Sequence, residues 1–126
     1  AAAQHAHTPA SKKDVAWSAP VSGLGNFHFA IQTKSAAAQK FFDGGLALIY
    51  GFNHDEAQRM FQRAAEADPS SPMPWWGIAL SWGSHINNEP EAAREKHAWE
   101  AIAKARALAA NAPAHERRYV EALAAR

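Results

Sequence analysis

The chain has 126 residues, a formal net charge of +1 and no cysteine. This length fits one domain, and the lack of cysteine excludes disulfides, a thiolate nucleophile, iron–sulfur clusters and cysteine-type zinc sites. The nearly neutral charge gives no reason to expect nucleic acid as a partner, and no apolar run is long enough to predict a membrane span. Alanine is the commonest residue, whereas isoleucine and valine are scarce, which favours an all-α fold.

The N-terminal part of the chain lacks helical periodicity. Residues 1–20 are rich in Ala, Pro, Ser and Lys, which predicts a flexible tail. The opening Ala-Ala-Ala is similar to the residues around an export-signal cleavage site, so we expect a periplasmic or secreted protein, with a cytoplasmic location as the alternative. Phe27, Phe29 and Ile31 then alternate with polar or small residues, as in a half-buried strand. Because a lone strand is unstable, residues 21–34 are predicted to be an extended lead-in packed on the helices.

The rest of the sequence has a helical pattern that turn signals divide into five segments. Asn53, Ser71 and Asn88 are the predicted N-caps of the second, third and fourth helices, because short polar side chains accept hydrogen bonds from the first turn of a helix. The predicted helices cover residues 35–50, 54–67, 72–84, 90–110 and 113–126.

Residues of the first two helices recur further along the chain. The first-helix positions recur after 34 residues and the second-helix positions after 44, which means an insertion of ten residues between the two units. The matched pairs are Phe41 with Trp75, Gly45 with Ala79, Leu48 with Trp82, Ala57 with Ala101, Phe61 with Ala105, Ala64 with Leu108 and Pro69 with Pro113. We expect Gly45 to let the paired helices approach closely, with Phe61 beside it and with Trp75 and Trp82 in the core.

A unit of two helices and about 34 residues resembles the tetratricopeptide repeat (TPR). Four further stretches strengthen the resemblance, which then extends to the N-terminal part of a family of longer bacterial TPR-containing proteins, generally exported and of undefined function. These stretches are residues 50–57, 73–80, 83–87 and 116–123.

The resemblance implies a short right-handed α-solenoid of TPR-like repeats over residues 35–126, preceded by the extended lead-in. Repeats are expected at about 38–71 and 72–115, with a third repeat represented by its first helix alone. Tyr119 and Val120, with Leu123, form an apolar face on this last helix, which we expect to be covered by further repeats, by self-association or by another subunit.

This architecture predicts a non-catalytic scaffold that binds a protein or peptide along the groove lined by the first helix of each unit. The candidate partner-binding residues are Trp76, Trp99, His85, Asn87 and Tyr119, because aromatic and loop polar side chains often anchor peptides. For Trp76 and Trp99 core packing is the alternative interpretation.

Two groups of histidines offer a different function, that of a periplasmic metal- or small-ligand-binding protein. His54, Asp55 and His85 follow the first helix of their units, and two imidazoles with a carboxylate suit a transition metal; helix capping is the other interpretation. His5 and His7 form a His-x-His that suits Cu(II) or Ni(II), unless they belong to a solvated tail.

Other chemistry has little support in the sequence. No Gly-x-Ser-x-Gly elbow or phosphate-binding loop is present, so neither a catalytic residue nor an organic cofactor is predicted. An accessory domain of a larger enzyme remains a third alternative. Basic residues of the last two helices alternate with glutamates such as Glu116, which predicts a solvated, ion-paired face.

Overall fold

The computed structural model describes residues 20–126, and this part of the chain is all-helical, without a β-strand. The bounds of its helices are α1 Ala36–Tyr50, α2 His54–Ala67, α3 Pro72–Trp82, α4 Ala92–Leu108 and α5 Ala114–Ala124, with a 3₁₀ turn at Ala109–Asn111. The predicted all-α class is confirmed, and the helices lie close to their predicted bounds. None of them combines the length and apolar character that crossing a membrane requires.

Side-chain caps define the starts of the first two helices. The Ser35 hydroxyl oxygen accepts the Ala38 N–H at 3.1 Å, and the Asn53 side-chain oxygen accepts the Glu56 N–H at 3.3 Å. These bonds satisfy backbone donors that have no partner inside the helix. Asp55 and Glu56 stand in the first turn of α2, where their negative charges interact favourably with the positive end of the helix dipole. The predicted cap at Asn53 is therefore confirmed.

The predicted cap at Asn88 is wrong. α4 begins at Ala92, with Glu91 in the N-cap position and no side-chain cap bond. Asn88 instead closes a turn of its own by donating its N–H to the His85 carbonyl at 3.0 Å. Local turn bonds of this kind compete with helix formation, and they explain why α3 ends at Trp82 and why α4 starts later than predicted.

The helices pack in chain order, and α1 with α3 and α3 with α5 also touch. Phe42 and Phe61 have no exposed surface, and their ring centroids lie 5.5 Å apart in the core. Phe61 of α2 packs between Gly45 of α1 and Gly77 of α3. A Cβ added to Gly45 would lie 2.7 Å from Phe61 Cε1, and one added to Gly77 would lie 2.5 Å from Phe61 Cγ. Both glycines thus permit the close approach of three helices.

Trp75 and Trp82 are half-buried and pack against the core rather than inside it, so their predicted place in the core is confirmed only in part. The Lys104 ammonium lies 3.9 Å from the centre of the Trp75 ring, and the Arg94 guanidinium carbon lies 4.9 Å from that of Trp82. α4 covers this side of α3 with long cationic side chains, which stack on the indole rings in addition to the apolar packing against the core.

The predicted apolar face of the last helix is also partly wrong. Val120 is fully buried, because α5 packs against both α3 and α4. Leu123 is half-buried, and Tyr119 keeps 44% of its surface exposed. Glu116, predicted on a solvated face, is fully buried as well. The face that α5 leaves open is therefore smaller than the sequence pattern suggests.

Candidate functional site

The lead-in, residues 21–34, crosses the first helices of the predicted units. The ring of Phe29 lies 6.3 Å from Phe42 in α1 and 5.6 Å from Tyr119 in α5, measured between centroids. Trp76 of α3 lies between these two helices, 6.4 Å from Phe42 and 5.9 Å from Tyr119. The tilted and edge-on ring contacts join the lead-in to α1, α3 and α5 in one aromatic cluster.

Side chains of α1 bind the backbone of the lead-in. The amide of Gln39 accepts the Ile31 N–H at 3.0 Å and donates to the Phe29 carbonyl at 2.8 Å. Asp43 accepts the Phe29 N–H at 3.0 Å with one oxygen, and its other oxygen lies 2.7 Å from His28 Nδ1. These bonds give the extended backbone the partners that a neighbouring strand would otherwise supply.

The end of the lead-in is held by residues from three other places in the chain. The Gln32 N–H donates to the Glu116 carboxyl, and the Ser71 hydroxyl donates to the Gln32 carbonyl at 2.9 Å. The Thr33 hydroxyl donates to Asp68. Ser71 occupies the predicted N-cap position of α3, but its side chain makes no cap bond there. Its hydroxyl binds the backbone of the lead-in instead.

The two carboxyl groups at this end have pKa values shifted in opposite directions. Hydrogen bonds from the side chains of Ser70 and Thr33 lower the pKa of Asp68, because they stabilise its charged form. Burial raises the pKa of Glu116, and the Gln32 N–H only partly opposes that rise. One oxygen of Glu116, Oε2, is buried without a hydrogen-bond partner.

We call the surface that receives the lead-in the lead-in site. Its side chains are Gln39, Phe42, Asp43, Trp76, Glu116 and Tyr119. Ile31 is buried against the helices, whereas Phe27 is 46% exposed and its ring contacts Tyr50 at 6.1 Å. The site therefore contacts the lead-in more closely around Ile31 than around Phe27. Chemically, it is suited to an extended backbone with apolar side chains at alternate positions.

A second feature lies where the turns after α1 and α3 meet. Here a depression of about 350 Å³, which we call the loop-end depression, brings together the predicted residues His54, Asp55 and His85. Its full lining is Phe52, Asn53, His54, Asp55, His85, Asn87, Asn88 and Arg94. The two histidines meet because each follows the first helix of its pair.

The two imidazoles are stacked rather than converging on one point. The ring centroids of His54 and His85 lie 3.9 Å apart with an angle of 8° between the planes. Imidazole binds an ion in its own ring plane, so parallel rings in this arrangement do not point at a common ion. Asp55 approaches Arg94 instead, at 3.8 Å. Among residues 20–126, no group of three or more His, Cys, Asp or Glu side chains is placed to hold a metal.

The remaining predicted residues fall in separate places. Trp99 is 73% exposed on α4 and lines a different depression, of about 280 Å³, together with Leu123. Asn87 lines the loop-end depression. His5 and His7 lie outside the described residues. The predicted partner-binding residues thus do not form one groove.

Gln39, Asp43 and Arg94 were not among the candidate residues. The first two stand four residues apart, which places them on one face of a helix. This spacing is the signal that identifies them, but it is shared by most polar pairs on helices. Nothing in the sequence distinguishes Arg94 from the other residues of its charged stretch.

The turn that positions the loop-end depression contains a strained residue. Phe52 has a φ angle of 58°, its N–H donates to the Ile49 carbonyl at 3.0 Å, and the Asn53 N–H donates to the Leu48 carbonyl at 2.9 Å. This is the Schellman pattern of a helix end, in which glycine usually takes the left-handed position. The chain instead has Gly51 one residue earlier and exposes 67% of the Phe52 side chain. Phe52 thus holds a strained backbone position at the edge of the loop-end depression.

Replacing Phe52 by glycine is expected to stabilise the protein by about 1 kcal/mol, because glycine adopts the left-handed conformation without steric cost. Urea unfolding followed by circular dichroism measures the change. Phe52→Ala is the matched control, since it removes the same exposed ring but keeps a Cβ at the strained position. Equal stability of the two variants would show that the backbone at residue 52 carries no strain.

No protein-family model matches the chain, and searches of curated proteins and of solved structures likewise found no match. Its function is therefore inferred from the contacts of the described residues.

Proposed function

We propose that the protein is a non-catalytic scaffold whose TPR-like repeats bind an extended peptide segment of a partner protein. The packing order supports this proposal: each helix packs on the next, and α1, α3 and α5 touch in turn. Stacked helical hairpins in a short α-solenoid have this order, and their first helices line one continuous surface. The side chains of the lead-in site come from α1, α3 and α5, the helices that line such a surface in a solenoid.

The observation that carries the proposal is the pair of hydrogen bonds from Gln39. One side-chain amide binds both the N–H of Ile31 and the carbonyl of Phe29. This contact recognises an extended backbone whatever its side chains are. The alternate side chains then provide specificity, because Phe29 enters the aromatic cluster. A partner segment with apolar residues at alternate positions fits the same chemistry.

The aromatic cluster supplies the apolar part of the proposed interaction. Trp76 and Tyr119 are residue types that often dominate binding energies, and Tyr119 keeps 44% of its surface exposed beside the lead-in. The present occupant is a segment of the same chain, covalently joined to α1. A partner peptide therefore has to compete with residues 29–31, so weakening that internal contact should reveal the binding.

A fluorescent synthetic peptide with the sequence of residues 24–34 tests this proposal in the full chain. Phe29→Ala removes the internal ring from the cluster, and we expect this variant to bind the peptide severalfold more tightly than wild type does. Full burial of a phenylalanine contributes about 1.5–3 kcal/mol, and Phe29 is half-buried. Fluorescence anisotropy measures the affinity, and circular dichroism checks that the helices remain.

Phe27→Ala is the matched control, because Phe27 belongs to the same segment but its ring contacts Tyr50 outside the lead-in site. We expect it to bind the peptide no better than wild type. A peptide with alanine in place of Phe29 should bind neither variant. Equal affinities of the Phe29 and Phe27 variants, or no binding at millimolar peptide, would contradict the proposal.

A further inference from the structure

We propose that the loop-end depression binds the oxyanion group of a small ligand, a phosphate or a carboxylate, rather than a metal cation. The depression shares no residue with the lead-in site, so this inference does not depend on the proposed peptide binding. Three observations support it: an arginine held in a fixed position, a histidine with a defined proton, and a surplus of positive charge.

Arg94 is held in place at the depression. Its guanidinium lies over the Trp82 ring at 4.9 Å, and its Nη2 donates to the Ser81 carbonyl at 3.2 Å. Its Nε is buried and has no hydrogen-bond acceptor. The nearest carboxylate, that of Asp55, is 3.8 Å from Nη1 and 86% exposed. Arg94 therefore presents a guanidinium fixed in position at the depression, and a fixed arginine is suited to bind an oxyanion.

His85 adds a second donor. Its Nδ1 accepts the Asn87 N–H at 3.3 Å, so the neutral ring carries its proton on Nε2, where it can donate to a ligand. The stack against His54 keeps the ring in this orientation. The side-chain amides of Asn53, Asn87 and Asn88 complete a polar lining that offers further N–H donors.

The charges around His85 favour an anion. Burial lowers the pKa of His85, and the nearby His54, Arg94 and Arg126 lower it further. All three neighbours act in the direction that positive charge produces. Arg94 and Arg126 outnumber the one carboxylate of the lining, that of Asp55, and a surplus of positive charge attracts oxyanions. The volume, about 350 Å³, matches the small end of ligand pockets, and the exposed ring of Phe52 offers an apolar edge to the rest of the ligand.

Titration of the full chain with inorganic phosphate, in an amine buffer free of carboxylates, tests the inference. Imidazole proton shifts of His54 and His85 in NMR spectra report the binding. We expect saturable binding by wild type, a loss of about tenfold or more in R94Q, and severalfold tighter binding by D55N. The last effect arises because Asp55 competes with the ligand for Arg94.

Glu56→Gln is the matched control for D55N. It removes the same charge one residue further along α2, but Glu56 pairs with Arg59 and does not line the depression. We expect it to leave the phosphate affinity nearly unchanged. Acetate titrated in parallel shows whether a phosphate or a carboxylate source is preferred, and saturable binding of either supports the inference.

A metal site predicts the opposite response to D55N, because it loses a ligand. Saturable binding of Zn²⁺ or Ni²⁺ that D55N abolishes, with no binding of either anion, would overturn the inference. So would phosphate binding that D55N weakens. Because Asp55 is 86% exposed, this variant tests the site without disturbing the fold.

Discussion

Replacing Gly77 by alanine is expected to destabilise the protein by about 2–3 kcal/mol, although alanine is the better helix former. The new Cβ would lie 2.5 Å from Cγ and 2.6 Å from Cε1 of Phe61. Phe61 is fully buried between α1 and α3, so its ring cannot turn aside into solvent. The helices must therefore separate, or the ring must leave its preferred rotamer.

Two neighbouring glycines in α1 provide the matched comparison. An alanine Cβ at Gly45 would lie 2.7 Å from Phe61, whereas one at Gly44 would meet only Leu24 Cδ1 at an ordinary 3.7 Å. We expect Gly45→Ala to destabilise, and Gly44→Ala to stabilise by up to about 1 kcal/mol through helix propensity. Urea unfolding measures all three free energies. A shift of the free energy of unfolding in the same direction for all three variants would contradict the packing described around Phe61.

A double variant separates steric overlap from other effects of Gly77→Ala. Phe61→Leu on its own should cost stability, because it leaves part of the ring volume empty. Combined with Gly77→Ala, the smaller side chain makes room for the new Cβ, so the two costs should sum to more than the cost of the double variant. Strict additivity would mean that Gly77 and Phe61 do not interact.

Most helix bounds, with the start of α4 as an exception, were predictable because local chemistry determines them. Asn53 caps α2 through its own side chain, and Pro72 suits the first position of α3. Gly45 was identified through the 34-residue spacing, since close helix approach requires a small residue there. Gly77 was not identified, because the spacing matches Gly45 with Ala79. The contact of Phe61 with the next helix pair depends on how the pairs stack, which periodicity does not encode.

The lead-in site could not be predicted from local sequence patterns, for the same reason. The hydrogen bond from Gln32 to Glu116 joins residues 84 positions apart. The alternation from Phe27 to Ile31 indicated an extended segment, but no pattern showed which helices would receive it. The loop-end depression was partly predictable, because His54 and His85 follow equivalent helices. Its chemistry was not, since the basic Arg94 comes from α4.

The free energy of unfolding is expected to respond to pH through Glu116, and Glu116→Gln should remove this response. Burial raises the pKa of the carboxyl above its ordinary value of 4.5, so the folded state favours the protonated form. The stability that this group contributes is fully present below pH 4.5 and is lost as the pH rises through the folded-state pKa. Glutamine keeps an oxygen for the Gln32 N–H and carries no charge.

The stability difference between Glu116→Gln and wild type should therefore be small at pH 4.5 and reach about 1–3 kcal/mol in favour of the variant at neutral pH, the usual cost of a buried polar group without a partner. Urea unfolding at the two pH values measures it. Glu121→Gln is the matched control on α5, because this side chain is 58% exposed and pairs with Arg106, and such pairs contribute little.

If the difference in free energy of unfolding between Glu116→Gln and wild type stayed constant with pH, it would contradict the burial of an ionisable carboxyl at this position. Glu116→Ala distinguishes the charge from the hydrogen bond: it removes both, leaves the Gln32 N–H without an acceptor, and should be less stable than the glutamine variant at every pH. The carboxyl is thus unfavourable as a charge and favourable as an acceptor. Because its partner is the lead-in, ionisation of Glu116 acts on the segment that occupies the proposed peptide site.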